Sequence, residues 1–390
     1  MKRFLVVLLC GLLLWCAAVP VFAEEPSTNT ETFPAMQVEV NAKAAVLMEA
    51  NTGSVLMAAN AHEQLFPASV TKIMTLLLVM EAVESGQIAL TDTVTAGAEA
   101  VSKGGSQIWL EEGEQMTVDE LIKAAAVASA NDACEALGEY VAGSSTAFVK
   151  LMNERARELG MLDTNFENCT GLDDTTDTHK TSAYDIALMS RELLKHELIR
   201  EYSTIWMDSL RGGETELVNT NRLVRFYDGI TGLKTGTTSK AGCCVSATAE
   251  RDGLELIAVV LGSDTSDDRF NGARAMLDWG FANYEAQALS VDKTRIPAVG
   301  VLGGTVPSVM PVIPEAQSVV LKKGASQEIT QEIDMAAEVA APVEKGQLLG
   351  WVYFKLDGET VYTCDLLCAE EIPQLTLLEA FRRALLALCG

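Results

Sequence analysis

The sequence predicts an α+β domain followed by a small all-β domain, on three observations. The chain has 390 residues, too many for one ordinary core and enough for two. Between Ala44 and Leu261, short apolar runs with turn residues between them bracket longer segments of helical period. Beyond Tyr284 the helical period fades into short β-rich runs divided by glycine and proline.

The N-terminus has a basic Met1-Lys2-Arg3, an apolar run from Phe4 to Val21 and a small-x-small end at Val21-Phe22-Ala23. This is the pattern of an export signal over residues 1–23. Its alternative, a membrane-spanning anchor, fits less well with the Ala23 pattern and the polar Ser27 to Thr32 tail. Neither Cys10 nor Cys16 follows the small residue that a lipoprotein cleavage site needs. Export places the working protein at the outer face of the cytoplasmic membrane or in the cell wall or periplasm. A formal net charge of -25 argues against nucleic acid as a partner, because phosphate binding needs basic patches.

Seven cysteines remain after residue 23: Cys134, Cys169, Cys243, Cys244, Cys364, Cys368 and Cys389. They form no regular framework, and the odd number leaves at least one unpaired. Cys243-Cys244 reads as two small hydrophobes on a strand. Cys364 and Cys368 lack histidine partners and zinc-site spacing, so no metal is assigned. Three histidines, His62, His179 and His196, are poor material for a zinc site or a Ser-His-Asp triad.

The elements follow in order. Ala44 to Met48 and Ser54 to Met57, joined by the turn residues Glu49 to Gly53, read as a hairpin. It leads into Phe66-Pro67-Ala68-Ser69-Val70-Thr71-Lys72 and an apolar run to Met80, the start of a buried helix with Pro67 in its first turn. Residues three apart share a face, so Lys72 stands one turn below Ser69. A lysine held away from bulk water loses part of its preference for the charged form and can take a serine proton near neutral pH. Alone, the pair equally fits a capping serine and a solvated lysine.

A polar stretch from Glu84 to Glu114 precedes a helix over Val118 to Ala128. Ser129-Ala130-Asn131-Asp132 then reads as a short loop that presents the Ser129 hydroxyl and Asn131 amide outward. Helical period resumes from Asp132 to Leu159, and Gly160 closes it. Thr181 to Leu198 is a further amphipathic helix, with His196 on its surface. Lys234-Thr235-Gly236 opens a strand, followed by strands over Cys244 to Ala249 and Leu254 to Leu261 around an Asp252-Gly253 turn. Gly236 lacks a Cβ, which would let a substrate backbone lie close, while Lys234 and Thr235 offer a cation and a hydroxyl for a carboxylate.

Ser69-Val70-Thr71-Lys72, Ser129-Ala130-Asn131 and Lys234-Thr235-Gly236 occur in the order and spacing of the penicillin-interacting serine enzymes. With Pro67-Ala68, Asp132-Ala133, Met152-Asn153, Leu159-Gly160-Met161, Thr164-Asn165-Phe166, Gly171-Leu172 and Gly232-Leu233, the chain resembles the low-molecular-mass penicillin-binding proteins of the D-alanyl-D-alanine carboxypeptidase type. The resemblance spans roughly Val40 to Tyr284. It implies a serine β-lactamase/DD-peptidase-like domain over residues 38–285, an antiparallel sheet flanked by helices beside a helical cluster, with the site at their junction.

The substrate implied is a peptidoglycan stem peptide ending in D-Ala-D-Ala, with β-lactams as covalent inhibitors and no cofactor. By the resemblance, Ser69 is the nucleophile, Lys72 its base and Ser129 a proton relay to the leaving D-alanine. Asn131 holds the peptide amide, Lys234 and Thr235 receive the carboxylate beside Gly236, and the Ser69 and Thr237 N–H groups form the oxyanion hole. Thr237 stands where some relatives have histidine. No carboxylate between Glu158 and Asp177 identifies itself as an activator of the deacylating water, so a β-lactam acyl-enzyme is expected to hydrolyse slowly. The alternatives are a β-lactamase or a catalytically silent wall-binding or β-lactam-sensing module.

Residues 293–372 read as the small all-β domain, with runs at Ser318 to Leu321, Leu348 to Phe354 and Thr360 to Thr363. In residues 373–390, Leu377, Leu378, Phe381, Leu385 and Leu388 recur at helical spacing, with Glu379, Arg382 and Arg383 on another face. That pattern fits an amphipathic helix lying in a membrane surface, or else packed on the β domain or an oligomer interface.

Overall fold

The computed structural model describes residues 33–313, 318–324 and 329–389; the export-signal segment, with Cys10 and Cys16, lies outside them. The principal elements are β1 (Ala44–Glu49), β2 (Val55–Ala59), α1 (Lys72–Glu84), α2 (Val118–Val127), α3 (Asn131–Ala142), α4 (Ser145–Glu158), α5 (Ala183–Leu194), β3 (Ile230–Thr238), β4 (Gly242–Arg251), β5 (Leu254–Ser263) and α6 (Ser266–Asn283). After them come β6 (Tyr284–Ala288), β7 (Ser318–Lys322), β8 (Thr330–Met335), β9 (Leu348–Leu356), β10 (Glu359–Cys368) and α7 (Leu377–Cys389).

Five strands form one antiparallel sheet in the order β2-β1-β5-β4-β3. Its central strands are apolar on both faces because both are covered. Leu47 of β1, Val245 and Ala247 of β4 and Leu256 and Val260 of β5 pack under Phe270, Ala273, Met276 and Leu277 of α6. The alternate residues face α1 and α5, where the Ser246 and Ser190 hydroxyls meet at 2.8 Å. A period of two thus sorts one sequence into two cores. Cys243 and Cys244 sit adjacent, buried and unlinked in β4.

Several boundaries differ from the sequence expectation. The α-helix begins at Lys72, and Ser69 lies in the preceding 3-10 turn Ala68–Thr71. The helical stretch from Asp132 to Leu159 is two helices, because Gly143 adopts φ 80° and Ser144 caps α4 by accepting from Ala147 N. The stretch from Thr181 likewise divides into α5 and a short helix Leu198–Ser203. His196 lies in that break and is largely covered, with Nδ1 2.9 Å from Glu84 Oε2, rather than on an open surface. Lys234-Thr235-Gly236 falls in mid-strand, since β3 starts at Ile230.

β6 leaves α6 directly and pairs with β7. The rest of the C-terminal part is all β, with β10-β9-β8 at its centre and two small cores, one around Val352, Phe354 and Leu366, the other around Val299, Val343 and Ile372. Asn51 Nδ2, in the β1–β2 turn, donates to Ser318 O at 2.8 Å and so ties the two parts. α7 projects from the end of the β part. Thr376 and Glu379 cap its start reciprocally, and Leu377, Leu378, Phe381 and Leu385 are exposed along it. No helix among the described residues is long and apolar enough to cross a membrane.

α2 positions the Ser129 corner, and its start is fixed by a capping box between Thr117 and Glu120. Thr117→Ala is expected to lower stability by about 1 kcal/mol in urea unfolding, and an unchanged midpoint would show that packing alone sets this helix.

Candidate active site

The nucleophile turn is built from two backbone irregularities. Ala68 adopts φ 48°, a left-handed conformation unusual for a residue with a Cβ, and this turns the chain from Pro67 into the 3-10 turn. Gly171, at φ 85°, packs directly on it: a Cβ there would lie 1.8 Å from Ala68 O. The turn puts Ser69 Oγ 2.8 Å from Lys72 Nζ, and Lys72 also donates to Thr170 O at 2.8 Å. Lys72 is fully buried, so loss of solvation holds its ammonium below the ordinary lysine range, with Asp132 opposing.

β3 runs along the other side of the turn. Ideal alternation puts Lys234 and Gly236 on one face of the strand and Thr235 and Thr237 on the other. A Cβ on Gly236 would come 2.7 Å from Ser69 N, so this glycine admits the Ser69 turn against the strand. Lys234 is buried and donates to Thr235 O at 3.2 Å. Burial, reinforced by the positive charge of Lys72, pushes it well below its ordinary range. Two such ammonium groups disfavour simultaneous protonation, which leaves a place for one negative charge.

Thr235 Oγ1 donates to Thr220 Oγ1 at 2.7 Å. Arg269, reaching from α6, donates to Gly236 O at 2.9 Å and to Thr237 Oγ1 at 2.8 Å, and so fixes the strand where it passes Ser69. Arg269 was not among the residues singled out from sequence; an arginine inside a helix carries no local signal of a partner on a distant strand.

Ser129 occupies the corner between α2 and α3 at φ 62°. Both it and Asn131 are buried in the free chain, at 4% and 2% exposure, rather than presented outward. Asn131 N donates to Ser106 O and its Nδ2 to Gly104 O at 2.6 Å, while its Oδ1 is buried with no hydrogen-bond partner among the described residues. An unpaired buried acceptor is costly unless something completes it, and a ligand N–H would. Asp132, one residue on, accepts from Ile108 N and Leu110 N, which anchors the polar stretch that crosses the site.

Three carboxylates of the 158–177 segment have other partners. Asp173 accepts from Thr238 Oγ1, Asp163 meets His62, and Glu167 is exposed and bonded to Thr178.

A buried serine-lysine pair, a serine corner and a lysine-bearing edge strand are the residue types of a serine acyl-transfer enzyme. Residues 28–265 match the D-alanyl-D-alanine carboxypeptidase family, peptidase S11, and residues 284–374 match the C-terminal domain of penicillin-binding protein 5. The chain is 40% identical over 389 residues to D-alanyl-D-alanine carboxypeptidase DacF of Bacillus subtilis, covering 99% of this chain and 98% of that protein. Penicillin-binding protein 5 from Haemophilus influenzae has a TM-score of 0.73 at 29% identity, over 87% of this chain and 100% of that one. Penicillin-binding protein D2 from Listeria monocytogenes, solved in an ampicillin-bound form, has a TM-score of 0.58 at 31% identity over 63% of this chain and 100% of its own. The chain therefore belongs to the D-alanyl-D-alanine carboxypeptidase family and is a serine-type hydrolase of that kind.

Gly171→Ala combines a left-handed backbone with a collision on Ala68 O, and is expected to cost about 3 kcal/mol or more. Urea unfolding of the variant tests this, and a wild-type midpoint would mean that the turn relaxes freely.

Proposed function

We propose that this carboxypeptidase removes the terminal D-alanine of peptidoglycan stem peptides through an ester on Ser69. The 2.8 Å contact between Ser69 Oγ and the buried Lys72 Nζ carries the proposal. The peptide's terminal carboxylate enters against Lys234 and Thr235 and restores the Lys234 proton, which leaves Lys72 as the neutral base. Asn131 Oδ1 accepts an N–H of the peptide. Ser69 Oγ gives its proton to Lys72 and bonds the penultimate carbonyl carbon, whose oxygen becomes an anion facing the Ser69 and Thr237 N–H groups; each such donor is worth roughly 3 kcal/mol at the barrier.

Collapse of that intermediate breaks the C–N bond. The proton returns through Ser129 to the leaving amine, and D-alanine departs. Water then cleaves the ester and restores the serine hydroxyl. A β-lactam follows the same first step, but its ring-opened leaving group stays attached. With Asp163, Glu167 and Asp173 engaged elsewhere, its ester should persist.

The same proposal takes residues 1–23 as an export signal, 38–285 as the catalytic domain, 293–372 as a β spacer and 373–390 as a membrane-surface anchor. The exposed Leu377, Leu378, Phe381 and Leu385 on one amphipathic helix support the anchor, and Arg382 on it suits anionic lipid. Such a tail would hold the enzyme peripherally at the outer face of the membrane, within reach of its wall substrate.

D-alanine release from a synthetic stem peptide should be seen with the wild type and be lost, together with covalent penicillin labelling, in Ser69→Ala; labelling of that variant would remove Ser69 from the chemistry. Because Lys72 must lose its proton, acylation should rise with pH through a limb lying below the 10.5 ordinary for lysine. A rising limb at the ordinary lysine value would exclude Lys72 as base. Deleting residues 375–390 should release the protein from anionic vesicles, and equal binding of both forms would locate the anchor elsewhere.

A further inference from the structure

Behind the nucleophile turn, a chain of hydrogen bonds ends on a buried histidine that no step above uses. We propose that His179 is a positioning residue for the oxyanion hole, acting through Thr71 and the Ala68 carbonyl to aim the Ser69 N–H into the cleft. This deepens the reading of Ser69 N as an oxyanion donor and rests on it.

The direction of each bond in the chain is fixed by chemistry. His179 is fully buried, and its Nδ1 lies 3.0 Å from Glu167 N, an N–H that can only donate. Nδ1 is therefore the unprotonated nitrogen, and Nε2 carries the hydrogen. Nε2 lies 2.8 Å from Thr71 Oγ1 and must donate to it. The threonine's one hydroxyl hydrogen is then free for Ala68 O, 2.9 Å away. Burial lowers the His179 pKa to about 4, against the opposing carboxylates Glu167 and Asp173, so the neutral ring and this tautomer persist throughout the physiological range.

What the chain holds is a peptide plane. The Ala68–Ser69 bond is trans, so its C=O and N–H point in opposite directions. Pinning Ala68 O on Thr71, with Gly171 packed over it, therefore turns Ser69 N–H the other way. That other way is β3, the strand that carries Thr237: a Cβ on Gly236 would lie 2.7 Å from Ser69 N. Ala68 pays for this with its left-handed backbone, and the relay supplies an external restraint that keeps the plane from flipping.

Two pairs of variants separate positioning from mere packing. Asparagine places a side-chain oxygen near the Nδ1 position and glutamine a side-chain amide nitrogen near the Nε2 position. His179→Asn thus keeps the acceptor for Glu167 N but loses the donor to Thr71, and His179→Gln does the reverse. Thr71→Val removes the relay at constant shape, and Thr71→Ser keeps it.

The rate of acylation by a fluorescent penicillin should fall about 10- to 100-fold in His179→Asn and in Thr71→Val, and remain within about threefold of wild type in His179→Gln and Thr71→Ser. The double variant His179→Asn/Thr71→Val should be no slower than the slower single one, because the two act in series. With stem peptide, kcat should fall and KM hold. Affinity for a peptide boronate, which places an anionic oxygen in the hole, should fall with the acylation rate.

Wild-type acylation by Thr71→Val, or equal losses in all four variants that follow their melting temperatures, would overturn the positioning role. Should His179→Asn fail to fold, the Thr71 pair decides the matter alone. Ser69→Ala separates the two levels of inference: its labelling would overturn the acyl-enzyme reading, whereas an inert Ser69→Ala beside a wild-type Thr71→Val overturns only the relay.

Discussion

Two lysine side chains buried near one serine, which cannot readily both be charged, impose the electrostatic constraint on which the site depends. A buried charge has to be neutralised, paired or hydrogen-bonded, and the protein only partly meets that demand. Lys72 has Ser69 Oγ and Thr170 O; among the described residues Lys234 has one hydrogen bond, to Thr235 O at 3.2 Å. In the proposed function the remaining partner is the carboxylate that both substrate and β-lactam carry. A strongly acidic chain thus concentrates uncompensated positive character in its cleft.

Rigidity around that charge comes from the surrounding fold. The sheet is covered on both faces, by α6 on one and by α1 and α5 on the other, so β3 can sit at its edge with one side open. Arg269 reaches from α6 to clamp β3 beside Ser69, and Asp132 grips the segment that crosses in front of Asn131. Left-handed residues at Ala68 and Ser129 lie beside or within the reactive groups. Backbone strain of this kind persists where surrounding contacts over-determine it, and here those contacts come from three separate stretches of chain.

The glycines near the site have a related use. Gly171 and Gly236 both lie where a Cβ would strike the nucleophile turn, one from behind and one from the strand side. Both let main chain approach main chain around Ser69. Spacing alone leaves open which object a glycine admits, and at Gly236 the Ser69 turn is one such object.

The order Ser69, Lys72, Ser129, Asn131, Lys234, Thr235, Gly236 was legible in the sequence, because each motif is a local set of residue types and their joint occurrence is specific. The hairpin, the buried first helix, the antiparallel strands and the β-rich end were legible too, since period and turn chemistry are local properties. Tertiary structure decided the rest. Breaks at Gly143 and after Leu194 were hidden within continuous helical period, although Gly143-Ser144 carried a stop-and-start signal. The partners of His179, Thr71 and Arg269 lie far away in the chain or across elements, and a hydrogen bond between distant residues leaves no periodic trace. Whether Lys72 is buried or a solvated surface cation is decided only by the packing of α1 beneath the sheet.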